Sequence, residues 1–125
     1  LKRIVARFYA QADGTEPVKE WLRSLDRIDR QIIGSDIASV EFGWPVGMPL
    51  CRPVGEGIRE VRSSVRGGRL EARTYFAIEG GIMLLLHGDI GKDGQQHAIR
   101  LARRRLKEHE ERSKWLGKPK GNDGK

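Results

Sequence analysis

The stretch from Ile58 to His87, IREVRSSVRGGRLEARTYFAIEGGIMLLLH, holds three extended runs parted by two glycine pairs, Gly67-Gly68 and Gly80-Gly81. Two adjacent glycines between such runs mark tight hairpins, because both can adopt the positive φ these turns need. The spacing predicts an antiparallel meander of strands over Ile58 to Val65, Arg69 to Ile78 and Ile82 to His87. Ile82-Met83-Leu84-Leu85-Leu86 is apolar at every position and reads as a central strand covered on both faces. A two-residue loop at Gly67-Gly68 pairs Arg66 with Arg69 and Val65 with Leu70. Further in, it sets Arg62 opposite Arg73 and Glu60 opposite Tyr75.

Upstream, Arg3 to Ala10 alternates loosely, with Ile4, Ala6 and Phe8 to one side, as a strand does. Asp13-Gly14 makes a turn, Thr15 is expected as an N-cap, and Pro17 suits a first helical turn. Val18, Trp21, Leu22 and Leu25 give that helix one buried stripe ending near Leu25, with Trp21 as packing. Asp26 caps a second helix, whose stripe runs through Ile28, Ile32, Ile37 and Val40 up to Phe42. Gly43-Trp44-Pro45-Val46-Gly47-Met48-Pro49 interrupts every backbone ladder and is a loop, followed by a short extended piece around Leu50 to Val54. Gly88 to Gly94 reads as a loop after the central strand. From Gln95 a last helix turns Ile99, Ala102 and Leu106 inward and Arg100, Arg103, Arg104 and Lys107 outward. The expected fold class is α+β: an antiparallel twisted sheet with an N-terminal helical hairpin and a C-terminal helix. Residues 1–116 make one domain in this reading, and 117–125 a flexible basic tail.

The formal net charge of +7 over 125 residues is unevenly placed, since residues 95–125 carry ten Lys or Arg against four Asp or Glu. A basic surface draws polyanions, although it also serves acidic protein partners and solubility. The single cysteine, Cys51, excludes an internal disulfide and agrees with a reducing compartment. Nothing reads as a secretory leader, and the longest apolar run is far below the roughly 20 residues of a membrane span. A cytoplasmic protein with no membrane partner is therefore expected. His87, His97 and His109 show no ligand spacing, so no metal or cofactor is expected, and His97 and His109 are placed on or near the solvated side of the last helix.

Like charges directly opposed across a sheet cost on the order of a few tenths to 1 kcal/mol, so the facing of Arg62 and Arg73 asks for a reason. Two readings stand. Glu60 and Glu71 neutralise the arginines diagonally on a solvated face, which charge patterning alone favours. Alternatively an anion lies between them, since a guanidinium offers a phosphate two hydrogen bonds and keeps its charge. His87 has two placements as well. A two-residue loop at Gly80-Gly81 turns it to the core beside Thr74, and a three-residue loop turns it to the polar face with Arg73.

Phe8-Tyr9-Ala10 with Glu16-Pro17-Val18-Lys19-Glu20-Trp21-Leu22, the segment FGWPVGMPL from Phe42 to Leu50, Ile58-Arg59-Glu60-Val61-Arg62-Ser63, Leu84-Leu85-Leu86-His87-Gly88, and LARRRLKE from Leu101 to Glu108 occur in that order. Together they resemble the phage-derived, HigB-like branch of the RelE/ParE toxins over nearly the whole chain. The resemblance implies a RelE-like fold and a toxin neutralised by a cognate antitoxin, a helix-turn-helix protein. It implies cleavage of mRNA, with the ribosome as a further partner. Such toxins use no metal: the ribose 2′-hydroxyl attacks the neighbouring phosphate and leaves a cyclic phosphate, which needs alignment, charge stabilisation at phosphorus and proton transfer.

By position the resemblance assigns Arg62 and Arg73 to the phosphate. Glu60 is either a base for the 2′-hydroxyl or an orienting partner of the arginines. Tyr75 is a candidate proton donor or base-stacking platform, His87 joins the site if it faces it, and Lys92 resembles the family's lysine in the loop after the central strand. Two departures stand out. The usual His-Gly-Phe and lysine-rich Lys-Thr-Pro stretch is replaced by HGDIGKDGQ from His87 to Gln95, and the usual Leu-Trp-Glu by Ile58-Arg59-Glu60. These changes imply a weakened or re-targeted toxin. The superfamily also holds gyrase poisons of the ParE kind, which share the fold but bind protein, and a non-catalytic module docking through its basic helix is a third reading.

Overall fold

A computed structural model describes residues 1–91 and 93–116. The chain runs β1 (Val5–Phe8), α1 (Pro17–Ser24), α2 (Arg27–Gly43), β2 (Cys51–Gly55), β3 (Ile58–Val65), β4 (Leu70–Glu79), β5 (Ile82–Ile90) and α3 (Gln95–Leu116). The five strands form one sheet in the order β1-β5-β4-β3-β2. Strands β2 to β5 are antiparallel neighbours, and the glycine pairs form the β3–β4 and β4–β5 turns as expected. The sheet is nevertheless mixed at one edge, because β1 lies parallel to β5, with Val5 beside Ile82 and Phe8 beside Leu85. This pairing joins the chain's start to its last strand, so no local turn announces it.

Alternation sends the sheet's side chains to two separate cores. On one face Ile4, Val61, Val65, Ala72, Phe76, Met83 and Leu85 pack with Val18 of α1 and Ile33, Ile37 and Val40 of α2. On the other, Ile58, Tyr75, Ala77, Leu84 and Leu86 pack with Tyr9 and with Ala98, Ile99 and Ala102 of α3. The helices thus cover both faces, which explains why β5 is apolar throughout.

Several local expectations shift. Glu16, not Thr15, occupies the cap of α1 and makes no side-chain cap bond. Proline at the first helical position fixes the residue before it as the cap, and Asp13 Oδ1 instead accepts from the Thr15 amide at 2.9 Å. Asp26 caps α2 as expected, accepting from the Asp29 amide. The stripe of α2 holds at Ile37 and Val40 but shifts by one residue in its first half: Ile28 is exposed and Ile32 only partly buried, while Asp29 and Ile33 face the sheet. Likewise β5 does not stop at His87 but continues through Gly88 to Ile90. His109 is half-buried against Glu79 at 3.1 Å, while His97 is exposed.

The displaced stripe has a cause. Asp29 accepts hydrogen bonds from the Arg66 amide (3.0 Å) and Arg66 Nε (2.8 Å), tying α2 to the β3–β4 hairpin. Arg66 holds a positive φ of 54°, which a side chain tolerates only when neighbours fix it. Removing the buried acceptor takes both bonds from Arg66 at once and leaves its positive φ unsupported. Asp29→Ala is therefore expected to lower unfolding stability by about 2 kcal/mol, read as a shifted urea midpoint. An unchanged midpoint would show that the latch holds nothing.

Candidate anion site

The hairpin register is as the glycine turn dictates: Arg62 pairs with Arg73, Glu60 with Tyr75, and Val65 with Leu70. The two arginines therefore emerge side by side on the face that α3 shares. Between them lies Glu71, one oxygen to each: Oε2 is 3.0 Å from Arg62 Nη2, and Oε1 is 2.9 Å from Arg73 Nη2. A single carboxylate spans both guanidinium groups as a phosphate would, with two oxygens for two donors. Neither arginine is fully committed. The Nε atoms of Arg62 and Arg73 are buried yet lack a hydrogen-bond partner among the described residues. A groove of about 350 Å³ runs alongside, lined by Arg62, Arg69, Glu71, Arg73 and Gly91 among others.

Glu60 is fully buried, and both of its oxygens are engaged. Arg52 Nε donates to Oε2 at 2.7 Å, while Gln95 Nε2 donates to Oε1 at 3.0 Å, with Arg73 Nε 3.7 Å away. So enclosed, its carboxylate is taken up by Arg52, Gln95 and the neighbouring Arg73. Arg73 also donates to the Gly91 carbonyl, which leaves its plane little freedom.

His87 reaches this face by a route outside both placements drawn from loop length. The loop at Gly80-Gly81 has two residues, since Glu79 pairs with Ile82, and on an unbroken ladder His87 would then face the core. Leu86 interrupts the ladder. Phe76 pairs with Leu85 and Tyr75 with His87, so Leu86 is the extra residue of a β-bulge, and every side chain after it changes faces. The bulge sets His87 beside Tyr75 and Asp89 beside Arg73. The rings of Tyr75 and His87 stack at 6.0 Å and 20°, and His87 Nε2 is 3.7 Å from Asp89 Oδ2.

Tyr75 is wholly buried beneath that histidine, so no base can stack on it. Burial, with Asp89 and Glu60 adding to it, pushes its phenol far above the ordinary value, and the hydroxyl has no partner among the described residues. In this arrangement it is a shelf for His87. Lys92 and the tail at 117–125 lie outside the described residues. Among the described residues no group of three His, Cys, Asp or Glu side chains converges as a metal site would, and no helix is long and apolar enough to cross a membrane.

Sequence reasoning brought Arg62, Arg73, Glu60 and Tyr75 to one neighbourhood and left His87 open between two faces, but missed Arg52, Asp89, Gln95 and Arg105. Arg52 was legible in principle, because β2 sets it directly across from Glu60, an opposite charge. Asp89 was hidden by ending the strand at His87, three residues short of its end at Ile90.

These features define an α+β protein whose sheet carries, beside a groove on the α3 face, paired arginines suited to an anion. More particularly, residues 20–107 match the family described as Phage derived protein Gp49-like (DUF891), and the chain belongs to it. Among curated proteins, no match is found.

Proposed function

We propose that this protein is the cytoplasmic toxin of a type II toxin–antitoxin system, an endoribonuclease that cuts mRNA, on the ribosome, by 2′-hydroxyl attack on the scissile phosphate. Membership of a phage-derived family and the resemblance to HigB-like and other RelE/ParE toxins support this reading. The observation that carries it is the Glu71 bridge: two opposed arginines are reconciled by one partly exposed carboxylate, at the edge of a groove.

In this mechanism the phosphate of the RNA displaces Glu71 and takes its two guanidinium contacts. The 2′-hydroxyl gives up its proton to solvent and its oxygen forms a bond to phosphorus while the bond to the 5′-oxygen breaks and that oxygen takes a proton from water, leaving a 2′,3′-cyclic phosphate and a 5′-hydroxyl. Negative charge gathers on the equatorial oxygens, where Arg62 and Arg73 stand already oriented, so little reorganisation is needed. Arg52 and Glu60 act through Arg73. Lys92 would add a further positive charge, and a cognate helix-turn-helix antitoxin would hold the protein inactive.

Primer extension on a reporter mRNA after expression tests the activity. Discrete new 5′ ends support it, while intact transcript together with accumulated DNA breaks would point to a gyrase poison. The Glu71 bridge has its own test. Glu71→Gln leaves two like charges opposed, so its melting temperature is expected to fall slightly and to be restored by inorganic phosphate. Phosphate affinity should rise about fivefold to tenfold, roughly 1 kcal/mol or a little more. Equal phosphate response in wild type and variant would remove Glu71 from the site.

A further inference from the structure

Arg105 has no role in the mechanism above, yet it touches His87, whose ring lies on the same sheet face as the paired arginines. It projects from the packed side of α3, three residues after Ala102, and its Nη1 donates to the Leu86 carbonyl at 2.8 Å. That carbonyl belongs to the extra residue of the bulge, which has no partner residue across the ladder. The same Nη1 lies 3.4 Å from His87 Nδ1. Its guanidinium also sits over the Tyr9 ring, 5.7 Å from the centroid, so its direction is fixed from a second side.

We propose that Arg105 is a positioning residue for His87, holding the imidazole in the tautomer that carries its proton on Nε2, so that His87 meets the RNA phosphate as a hydrogen-bond donor and not as a base. This rests on the proposed RNA-cutting function. A guanidinium has no acceptor, so in its contact with His87 the lone pair must come from Nδ1. A neutral imidazole with its lone pair on Nδ1 bears hydrogen on Nε2. Nε2 in turn lies toward Asp89, which stands across the sheet from Arg73, so the N–H is aimed along the arginine face. Tyr75 supports the ring from one side. A histidine held this way has no free lone pair for the 2′-hydroxyl proton. It supplies a third fixed donor for the charge that builds on the phosphoryl oxygens, beside Arg62 and Arg73.

The test is nitrogen–proton correlation NMR of the imidazoles in the full chain near neutral pH, with His87 assigned through His87→Gln. The expected pattern is Nε2–H in the wild type. Arg105→Met should abolish it, and Arg105→Lys, which keeps a donor, should retain it. Inorganic phosphate should move the Nε2–H signal in wild type and Arg105→Lys but not in Arg105→Met. RNA cleavage should fall roughly tenfold in Arg105→Met and recover at least in part in Arg105→Lys, the scale of one hydrogen bond to a charged group. An Nδ1–H pattern in the wild type, or an unchanged pattern in a folded Arg105→Met, overturns the positioning role alone. The expected tautomer in a protein that neither cuts RNA nor responds to phosphate overturns the proposed function, and the donor role with it.

Discussion

Replacing Arg73 with glutamine is expected to cut RNA cleavage by roughly two to three orders of magnitude while the protein stays folded, the scale seen when one fixed donor to a transition-state charge is removed. Arg73 is the more committed of the two arginines, only 7% exposed and bound to Glu71, Glu60 and the Gly91 carbonyl. Glutamine can still donate to a carbonyl but is shorter and neutral, so the second point of phosphate contact disappears. Arg52 and Gln95 still hold the Glu60 carboxylate, which limits the structural damage. Circular dichroism and a urea melt separate unfolding from lost chemistry, and single-turnover cleavage reads the chemistry itself. Arg104→Ala, on the exposed side of α3, serves as the comparison for charge alone. Full activity in the Arg62→Ala, Arg73→Ala double variant would sink the site.

The fold was largely legible because its decisive signals are local. Gly67-Gly68 and Gly80-Gly81 set two hairpins, and a two-residue turn leaves one register that sorts apolar from polar side chains, so the facing of Arg62 and Arg73 could be counted from the sequence. Signals that depend on distant parts of the chain were not legible. The parallel seating of β1 on β5 closes a loop of more than seventy residues, and no residue type marks it. The first half of the α2 stripe read one residue off, while Ile37 and Val40 were placed correctly, because Ile28 and Ile32 are as apolar as Ile33 and only the latch between Asp29 and Arg66 turns the helix start the other way.

The candidate site divides in the same way. Its arginines follow from the turn, whereas His87 follows from a bulge that alternation at Leu84-Leu85-Leu86 cannot show, since all three positions are leucine. Arg105 was obscured for another reason. It lies at the margin of the Ala98, Ala102 stripe, where a long charged side chain ordinarily points to water. Here it is partly buried, its basicity lowered by that desolvation, and spent on the bulge carbonyl.

Gly88→Ala is expected to cost about 3 kcal/mol or more of stability and to lower the melting temperature by on the order of 10 °C. The reason is space, not backbone freedom. A β-carbon at this position would lie 2.2 Å from two ring carbons of Trp21 and 2.8 Å from a third. The indole belongs to α1 and packs, partly buried, against the helical-hairpin core, and a rigid ring can yield the needed space only by giving up that contact. Either α1 lifts from β5 or the end of β5 bends away. The second response also disturbs chemistry, because Gly88 lies between His87 and Asp89, and a bent strand would misdirect both. Trp21→Leu should cost stability by itself, yet combined with Gly88→Ala it should recover part of the loss, since the smaller side chain vacates the contested volume. Such coupling in a double-mutant cycle measures the contact directly. Strict additivity, or an unshifted melting curve for Gly88→Ala, would show that α1 does not rest on this glycine and that the strand's end is positioned by something else.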